Sequence, residues 1–167
     1  MSILITGGAG FIGANLARRL LRRGEAVGIL DSLARAGAEK NLAWLESQAR
    51  GHRLRVTIGD VRDINAVRKA MHEVDHVYHF AAQGSATSSL KDPQLDFGVN
   101  AQGTLNVLEV ARSLPRPPSI LFASTSKVYG ALEGLALNTG QHRYVPRERK
   151  LRIGGIDETQ PLLFHSP

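Results

Sequence analysis

Short runs of β-branched and apolar residues alternate along the chain with longer stretches whose apolar positions recur at helical spacing. The short runs predict strands at about 2–6, 26–31, 54–58, 75–80 and 118–124. The longer stretches predict helices at about 11–23, 39–49, 63–72 and 92–113. Strands that alternate with helices through short turns form right-handed βαβ units. The pattern therefore predicts an α/β fold, a doubly wound parallel sheet covered by helices on both faces.

Local signals mark the ends of these helices. Phe11 and three leucines give the first helix one apolar side. Asp63 is placed to cap the third helix, and Asp92 with Pro93 opens the fourth. Beyond residue 130 the periodicity weakens, and glycine and proline become frequent. We therefore expect a first domain over 1–130 and a region of substrate-facing loops over 131–167.

Composition narrows the class of protein. The chain has 167 residues, of which 43% are hydrophobic and 22% charged, as in an ordinary globular domain. It has no cysteine, which excludes disulfides and thiolate ligands. It also has no apolar run near the ~20 residues of a membrane-spanning helix, and no basic stretch typical of a signal peptide. We predict a cytoplasmic protein with no metal site and no membrane partner.

The net charge of +6 raises the question of a nucleic-acid partner. Basic residues are scattered over the predicted helices, apart from one cluster between Arg143 and Arg152. Aromatic residues for base stacking make up only 5% of the chain. A solvated face or an anionic small ligand explains the charge equally well, so we predict no nucleic-acid partner. The basic cluster is open to two interpretations, a contact with a diphosphate and a solvated loop.

The most specific signal lies in the first thirteen residues. A short apolar strand runs into Gly7, Gly8, Gly10 and Gly13, and a helix begins at the same point. In this context the backbone N–H groups at the helix N-terminus form a site for two linked phosphates. Gly13 also lets the helix pack closely on the sheet. We therefore predict that the chain binds a dinucleotide; the alternative is a glycine-rich turn without a ligand.

Polar residues after the second and third strands are candidates to hold the adenosine. Asp31 ends the second strand, where a carboxylate accepts hydrogen bonds from ribose hydroxyls and repels a 2′-phosphate, so NAD is favoured over NADP. Asp60 is placed for the adenine amino group and Val61 for its ring. For both aspartates the alternative is a turn or capping residue. Arg35 has three interpretations: over the adenine, on a phosphate, or at the surface.

The segment His79–Gln83 ends the fourth predicted strand. Small side chains at Ala81 and Ala82 allow the ribose and phosphates to pass close to the backbone. We interpret His79 as a packed strand histidine rather than a catalytic group.

Six segments together resemble the extended short-chain dehydrogenases/reductases, the family of NAD-dependent nucleotide-sugar epimerases and dehydratases. They are Thr6–Gly13, Asp31, Gly59–Asp63, His79–Ala82, Asn100–Thr104 and Ser124–Gly130, in the family's order. The resemblance implies a Rossmann-like fold, with the NAD-binding domain over 1–130, and NAD as cofactor. It implies a cofactor-binding set of Gly7, Gly10, Phe11, Ile12, Gly13, Asp31, Ser32, Arg35, Asp60, Val61, Ala81, Ala82, Gln83, Asn100 and Ser124. Asn100 would hold backbone groups near the active-site strand.

A narrower resemblance is to the CDP-paratose 2-epimerases (CDP-tyvelose epimerases) within this family. It is carried by residues 31–38, 41–45, 125–130, 155–158 and 164–167. Ser32 and Ser126 stand where asparagine is expected, and Ala34 stands where serine is expected. The resemblance implies epimerisation of a CDP-sugar at C2 by transient oxidation to a keto sugar and re-reduction. The alternatives are another sugar-nucleotide epimerase, such as a UDP-sugar 4-epimerase, and a non-catalytic NAD-binding fragment.

The resemblance also assigns the reacting groups. Thr125 would donate a hydrogen bond to the developing oxyanion, against the alternative of a β-branched strand residue. Thr87, Ser126 and Lys127 would contact the substrate. Dehydratases of the family carry Asp-Glu directly after that threonine, so Ser126-Lys127 favours epimerisation over loss of water. Tyr129 lacks a lysine four residues later and is not taken as the base.

Two expectations concern the whole protein. In the narrower pattern the catalytic tyrosine follows Pro167, so we expect these residues to be an N-terminal piece of a chain about twice as long, inactive alone. The predicted helix 92–113 carries more apolar surface than one sheet face needs, at Leu105, Val107, Leu108 and Val110. This favours a homo-oligomer, a dimer or tetramer, as much as burial against the sheet alone.

Overall fold

A computed structural model describes residues 1–49, 51, 53–130, 132 and 134–163. The chain divides into two compact units between Ala123 and Ser124. Of the helices in these described ranges, none has both the length and the apolar character needed to cross a membrane.

The first unit is built on a five-stranded parallel sheet. Its strands are β1 (Ser2–Thr6), β2 (Ala26–Asp31), β3 (Leu54–Ile58), β4 (His76–His79) and β5 (Ser119–Phe122). Their spatial order is β3-β2-β1-β4-β5, and every neighbouring pair is parallel. The predicted doubly wound sheet is confirmed. The order reverses between β1 and β4, and the crevice at the carboxyl ends of such strands is where this architecture binds ligands.

Helices cover both faces of the sheet. They are α1 (Phe11–Leu21), α2 (Ala38–Gln48), α3 (Ile64–Ala70), α4 (Ala86–Lys91), α5 (Pro93–Phe97) and α6 (Gly103–Ser113), with a π-helical turn at Gly98–Gln102 between the last two. The sequence predicts one helix over 92–113, so the π turn is a difference from expectation. Helix α4 was not predicted, because its serines and threonine show no apolar periodicity.

The predicted helix caps are confirmed and one predicted core residue is wrong. The Asp63 carboxylate accepts from the Asn65 N–H at 2.8 Å, and the Asp92 carboxylate accepts from the Leu95 N–H at 2.9 Å. Phe11, however, is 80% exposed. The buried side of α1 is Gly13, Ala14, Ala17, Leu20 and Leu21 instead. Small residues near the start of α1 bring it close to the sheet, and Phe11 at its first position lies outside that contact.

The core lies in two layers, one on each side of the sheet. Successive side chains of a strand point to opposite faces, so Ile3 and Ile5 of β1 enter one layer and Leu4 enters the other. The layer beneath α1 and α2 includes Ile3, Ile5, Leu21, Val27, Ile29 and Leu45. The layer beneath α3 and α6 includes Leu4, Leu30, Val67, Met71, Val77, Val107 and Val110. Each buried aliphatic side chain contributes about 1.5–3 kcal/mol, so this core fixes the strand ends.

Helix α6 has apolar residues that are buried against the sheet and others that are left exposed. Val107 and Val110 are buried against the sheet, whereas Leu105 and Leu108 are about half exposed. The surplus apolar surface is therefore real, but oligomerisation stays a prediction.

The second unit contains short elements. It has a 3₁₀ turn at Ser126–Tyr129, an antiparallel hairpin of β6 (Leu137–Thr139) and β7 (Tyr144–Pro146), and helix α7 (Arg149–Gly154). The sequence predicts no regular element beyond 130, because these segments are short and mostly polar. None of the described residues of this unit is buried.

Candidate functional site

A cleft of about 490 Å³ opens in the first unit where the chain leaves β1, β2, β3 and β4. Its volume lies in the ordinary range of ~300–1,000 Å³ for small-molecule sites. The predicted cofactor residues that line it are Gly7, Gly10, Asp31, Ser32, Arg35, Asp60, Val61, Ala81, Ala82 and Gln83. Four others, Phe11, Ile12, Gly13 and Asn100, belong to the first unit but not to the lining.

The glycine-rich turn is shaped by close backbone contacts. Gly7 has a φ of +69°, which favours glycine, and a Cβ there would lie 2.8 Å from the backbone nitrogen of Ala81. A Cβ at Gly13 would overlap the carbonyl oxygen of Gly7. These glycines therefore pack the turn against the end of β4 and α1 against the turn.

The N-terminus of α1 has the features of an anion site. Its N-cap, Gly10, makes no side-chain capping bond to any described residue, and the first turn holds no acidic side chain. The first N–H groups of a helix lack partners within the helix, and the helix dipole adds positive charge at that end. Phe11 and Ile12 stand exposed beside it, at 80% and 67%. The turn therefore fits a pair of linked phosphates.

Asp31 joins the end of β2 to the glycine-rich turn. One carboxylate oxygen accepts from the Ala9 N–H at 2.9 Å, and the other accepts from the Leu33 N–H at 2.9 Å. Asn41 of α2 donates from its side-chain amide to the carbonyl of Ala9 at 2.9 Å, so the Ala9 residue is held on both sides. Each oxygen of an ionised carboxylate has a further lone pair, so the local bonds leave Asp31 able to accept from a ribose.

Asn41 is a supporting residue that the motif analysis missed. It stands one turn inside α2, far in sequence from the glycines, and only the fold brings its amide to the turn.

Asp60 forms a local ion pair. Its carboxylate accepts from the Arg62 guanidinium at 2.7 Å and from the Arg62 N–H at 2.8 Å. The side-chain hydrogen bond from Arg62 holds the pKa of Asp60 below its ordinary value, so the carboxylate stays ionised at neutral pH. Val61 is buried, and its carbonyl accepts from the Asn106 side chain at 2.9 Å. The structure thus gives Asp60 the turn role considered as its alternative, and the adenine contact stays a prediction.

The segment after β4 forms one wall of the cleft and is held by side chains. The Gln83 N–H donates to the Asn100 side-chain oxygen at 2.8 Å, and the Asn100 amide donates back to the Gln83 carbonyl at 3.1 Å. The Asp96 carboxylate accepts from the same amide at 3.0 Å. The expectation that Asn100 holds backbone groups is confirmed at Gln83. Asn100 lies in the π turn, a feature frequent at functional sites.

His79 lies beneath that wall and is 2% exposed. Its Nδ1 is 2.6 Å from the Thr6 hydroxyl, and its Nε2 is 3.0 Å from the Thr104 hydroxyl. The ring of Phe122 lies 5.8 Å away between centroids. Burial lowers the pKa of His79 and favours the neutral imidazole. The interpretation of His79 as a packed strand histidine is confirmed.

Of the predicted substrate residues, Thr87 belongs to the first unit and does not line its cleft. Thr87 is exposed on α4, where its neighbour Ser88 lines the cleft instead. Ser124, Thr125, Ser126 and Lys127 belong to the second unit. Their assigned roles stay predictions.

Within the second unit, Thr125 caps the 3₁₀ turn. Its hydroxyl oxygen accepts from the Lys127 N–H at 3.2 Å, which leaves its own proton available to donate. Lys127 is exposed, and the side chain of Ser126 is outside the description. Residues 164–167, which carry part of the narrower resemblance, also lie outside the described residues.

Comparison with known proteins gives consistent relatives. The profile of the GDP-mannose 4,6 dehydratase family matches residues 4–148. The chain is 39% identical to CDP-paratose 2-epimerase of Salmonella typhi over 100% of its own length and 48% of that protein. It is 38% identical to dTDP-glucose 4,6-dehydratase of Mycolicibacterium smegmatis over 80% of its length and 39% of that protein. The chain therefore spans about half, or less, of the length of the curated relatives that it matches.

Solved structures agree with the sequence relatives. The UDP-glucose 4-epimerase of Thermus thermophilus, solved in complex with NAD, superposes with a TM-score of 0.69 at 36% identity. The match covers 98% of this chain and 44% of that one. The resemblance deduced from the six motif segments is confirmed: the chain belongs to the GDP-mannose 4,6 dehydratase family, among the extended short-chain dehydrogenases/reductases that act as nucleotide-sugar epimerases and dehydratases.

Proposed function

We propose that the cleft of the first unit holds NAD and that the protein is an NAD-dependent nucleotide-sugar epimerase. One arrangement carries this proposal: the uncapped start of α1 and the Asp31 carboxylate meet at the same glycine-rich turn, at the mouth of a cleft of suitable volume. When bound, the cofactor would supply a reversible acceptor for a hydride from the sugar, so that epimerisation would need no net oxidation.

The chain's own residues divide the work of holding this cofactor. The N–H groups at the start of α1 would bind the pyrophosphate, because they have no side-chain acceptor among the described residues and lie at the positive end of the helix dipole. Asp31 would accept from the adenosine ribose, and its charge would repel the extra phosphate of NADP. Asp60 and Val61 would contact the adenine. The backbone of Ala81–Gln83 would pass along the other side of the ligand.

The substrate half of the proposal concerns a CDP-sugar, with C2 epimerisation of CDP-paratose to CDP-tyvelose as the reaction. It is supported by the 39% identity to CDP-paratose 2-epimerase over the entire chain. It is also supported by Ser126-Lys127, which supplies neither of the carboxylates that water loss requires. In this reaction Thr125 would donate a hydrogen bond from its hydroxyl to the oxygen of the oxidised carbon. The second candidate is 4-epimerisation of a UDP-sugar, favoured by the structural match to UDP-glucose 4-epimerase.

Cofactor titration tests the first half of the proposal, that the cleft holds NAD. We expect NAD to bind at least about tenfold more tightly than NADP. Loss of a hydrogen bond to a charged group costs about 1.5–3 kcal/mol, so Asp31→Ala should weaken the binding of NAD by roughly 10- to 100-fold. Asp63→Asn is the matched control, since asparagine caps a helix as well as aspartate and Asp63 does not line the cleft.

The proposal fails if the protein binds NAD and NADP equally and Asp31→Ala changes neither affinity while the Asp63→Asn control behaves as wild type. Circular dichroism of each variant shows whether the fold is kept, because Asp31 also holds the turn.

Product analysis tests the second half of the proposal, the epimerisation of a CDP-sugar. We expect the full-length protein to convert CDP-paratose to its C2 epimer without net formation of NADH, as followed by NMR of the sugar protons. Conversion of UDP-glucose at C4 instead would establish the second candidate. Release of water to give a keto-deoxy sugar would contradict both epimerase assignments.

A further inference from the structure

A buried line of hydrogen bonds runs under the wall of the cleft, and we call it the histidine network. It consists of the Ala81 N–H, the Thr6 hydroxyl, the His79 imidazole, the Thr104 hydroxyl and the Asn100 carbonyl. The four successive distances are 3.2, 2.6, 3.0 and 2.6 Å. It joins β1, the end of β4, the π turn and the first turn of α6.

The positions of the protons follow from counting donors and acceptors. The Asn100 carbonyl can only accept, so Thr104 donates its proton there, and its oxygen must then accept from His79 Nε2–H. At the other end the Ala81 N–H can only donate, and it donates to the Thr6 oxygen. The Thr6 proton is then free to go to His79 Nδ1. This arrangement uses every donor and acceptor of the network once.

The other two protonation states leave groups unmatched. With the proton on Nδ1 alone, the Thr6 hydroxyl proton has no acceptor among the described contacts, and Thr104 must abandon the Asn100 carbonyl to reach Nε2. With both nitrogens protonated, the Thr6 proton is again unmatched, and a positive charge is placed in the core. Both hydrogen-bond partners of the imidazole are hydroxyls, and the ring of Phe122 lies beside it, so no carboxylate among the described hydrogen-bond partners compensates that charge.

The two ends of the network act on the wall of the cleft. One end fixes the Ala81 N–H directly. The other end fixes the backbone of Asn100, whose side chain makes two hydrogen bonds with the backbone of Gln83. Ala81 and Gln83 both line the cleft.

We propose that His79, as the neutral imidazole with its proton on Nε2, is a positioning residue that sets the Ala81–Gln83 wall of the cofactor cleft. The proposal deepens the proposed function and rests on it, because the wall matters for the reaction only if the cleft holds the dinucleotide. His79 does not line the cleft; it acts through Thr6 on one side and through Thr104 and Asn100 on the other.

Two substitutions separate the two halves of the network, the Thr6 half at Nδ1 of His79 and the Thr104 half at Nε2. In asparagine the amide atoms are attached to Cγ, as Nδ1 is in histidine, so His79→Asn can accept from Thr6 but cannot reach Thr104. In glutamine they stand one carbon further out, near the position of Nε2, so His79→Gln can donate to Thr104 but leaves Thr6 without an acceptor. His79→Phe fills the space and removes both halves.

The first experiment is independent of NAD. Long-range ¹H–¹⁵N NMR of the unliganded protein should show His79 Nε2 protonated and Nδ1 unprotonated at pH 7.5. Amide hydrogen exchange should show Gln83, but not Ala81, exchanging faster in His79→Asn, and Ala81, but not Gln83, in His79→Gln. His79→Phe should speed both. If His79 were needed only for packing, His79→Asn and His79→Gln would change the exchange rates of both amides equally.

A proton on Nδ1, or equal exchange in the Asn and Gln variants, would overturn the proposal. If His79→Phe fails to fold, the Asn and Gln variants and the wild-type NMR measurement still decide it. His76→Gln is the matched control, since His76 stands on the same strand at the end away from the cleft. This control should leave the exchange rates of both amides unchanged.

The second experiment links the wall to the ligand. His79→Asn and His79→Gln each lose one hydrogen bond of the network, so we expect each to weaken NAD binding by roughly 2- to 10-fold and His79→Phe to weaken it more. Unchanged NAD affinity in all three variants would overturn the role in the cleft. If wild-type protein binds no NAD while the tautomer and exchange results hold, the proposed function fails and the network stands.

Discussion

The two units of the chain differ in what holds their residues in place. In the first unit, side chains from both faces of the sheet are fully buried between helices, and polar groups near the cleft bond to groups distant in sequence. In the second unit no described residue is buried, the paired strands have three residues each, and α7 has six. The first unit is therefore held by tertiary packing and the second mainly by local hydrogen bonds.

This difference bears on the site. The residues proposed to hold the cofactor follow strand ends that the core fixes, so their spacing is set without a ligand. Thr125 and Lys127, proposed to meet the substrate, are held by a single turn. A substitution in the first core should therefore cost far more stability than one in the second unit, and the following changes test that contrast.

The largest expected effect is in the core. Leu45→Ala removes a fully buried side chain of α2 and should lower the free energy of unfolding by about 2–5 kcal/mol. Ile153→Ala removes an apolar side chain that is 77% exposed on α7 and should change it by less than about 0.5 kcal/mol. Urea unfolding of both variants measures the contrast. Equal losses would mean that the second unit has a core of its own.

A smaller contrast lies in two helical glycines. At Gly13 an added Cβ overlaps the Gly7 carbonyl, so Gly13→Ala should cost about 1–3 kcal/mol and distort the glycine-rich turn. At Gly154 an added Cβ meets no atom within 4 Å, so Gly154→Ala should be neutral or stabilise by up to about 1 kcal/mol. Thermal unfolding should show a lower Tm for Gly13→Ala and an equal or higher Tm for Gly154→Ala. A Gly13→Ala variant as stable as wild type would contradict the close packing of α1 on the turn.

The pH dependence of stability should reveal the buried histidine. Burial lowers the pKa of folded His79 below its ordinary value of 6.5, so below that pH the unfolded chain binds a proton that the folded chain does not. Its contribution to the free energy of unfolding is complete above pH 6.5 and is lost as pH falls toward the folded pKa, by at most about 1.4 kcal/mol per pH unit.

His79→Gln, which cannot bind that proton, should give a flatter profile between pH 7.5 and 5.5 in urea unfolding. Identical slopes for wild type and variant would show that folded His79 titrates as an exposed histidine does.

The smallest effects are expected at two hydrogen-bonded carboxylates, one in each unit. Hydrogen bonds lower the pKa of Asp60, chiefly from the Arg62 side chain, and of Asp157, chiefly from the Thr159 side chain. Asp60 belongs to a partly exposed pair, so Asp60→Asn should cost less than about 1 kcal/mol at pH 7. That contribution should vanish as pH falls below 3.8. Asp157→Asn should have no larger effect, and a larger one would reverse the contrast between the units.

Much of the first unit follows from its sequence, because its elements carry their own signals. The bounds of β1, β2 and β3 coincide with the predicted 2–6, 26–31 and 54–58. Asp63 and Asp92 mark helix starts because their side chains bond to nearby N–H groups. By contrast, the exposure of Phe11 depends on how closely Gly13 brings α1 to the turn, which periodicity does not encode.

The support of the site is harder to predict than its motifs. Gly7, Gly10 and Asp31 are recognisable from spacing, but Asn41, Thr6 and Thr104 act through contacts that only the folded sheet creates. The sequence shows His79 as a strand histidine, while its two hydroxyl partners lie 73 and 25 residues away. The π turn that carries Asn100 likewise has no simple sequence signal.

A crystal structure of the protein with NAD tests the central claim most directly. We expect the pyrophosphate on the N–H groups at the start of α1, and the adenosine ribose hydroxyls within hydrogen-bonding distance of the Asp31 carboxylate. A dinucleotide bound elsewhere, or a glycine-rich turn free of phosphate at saturating NAD, would contradict the account.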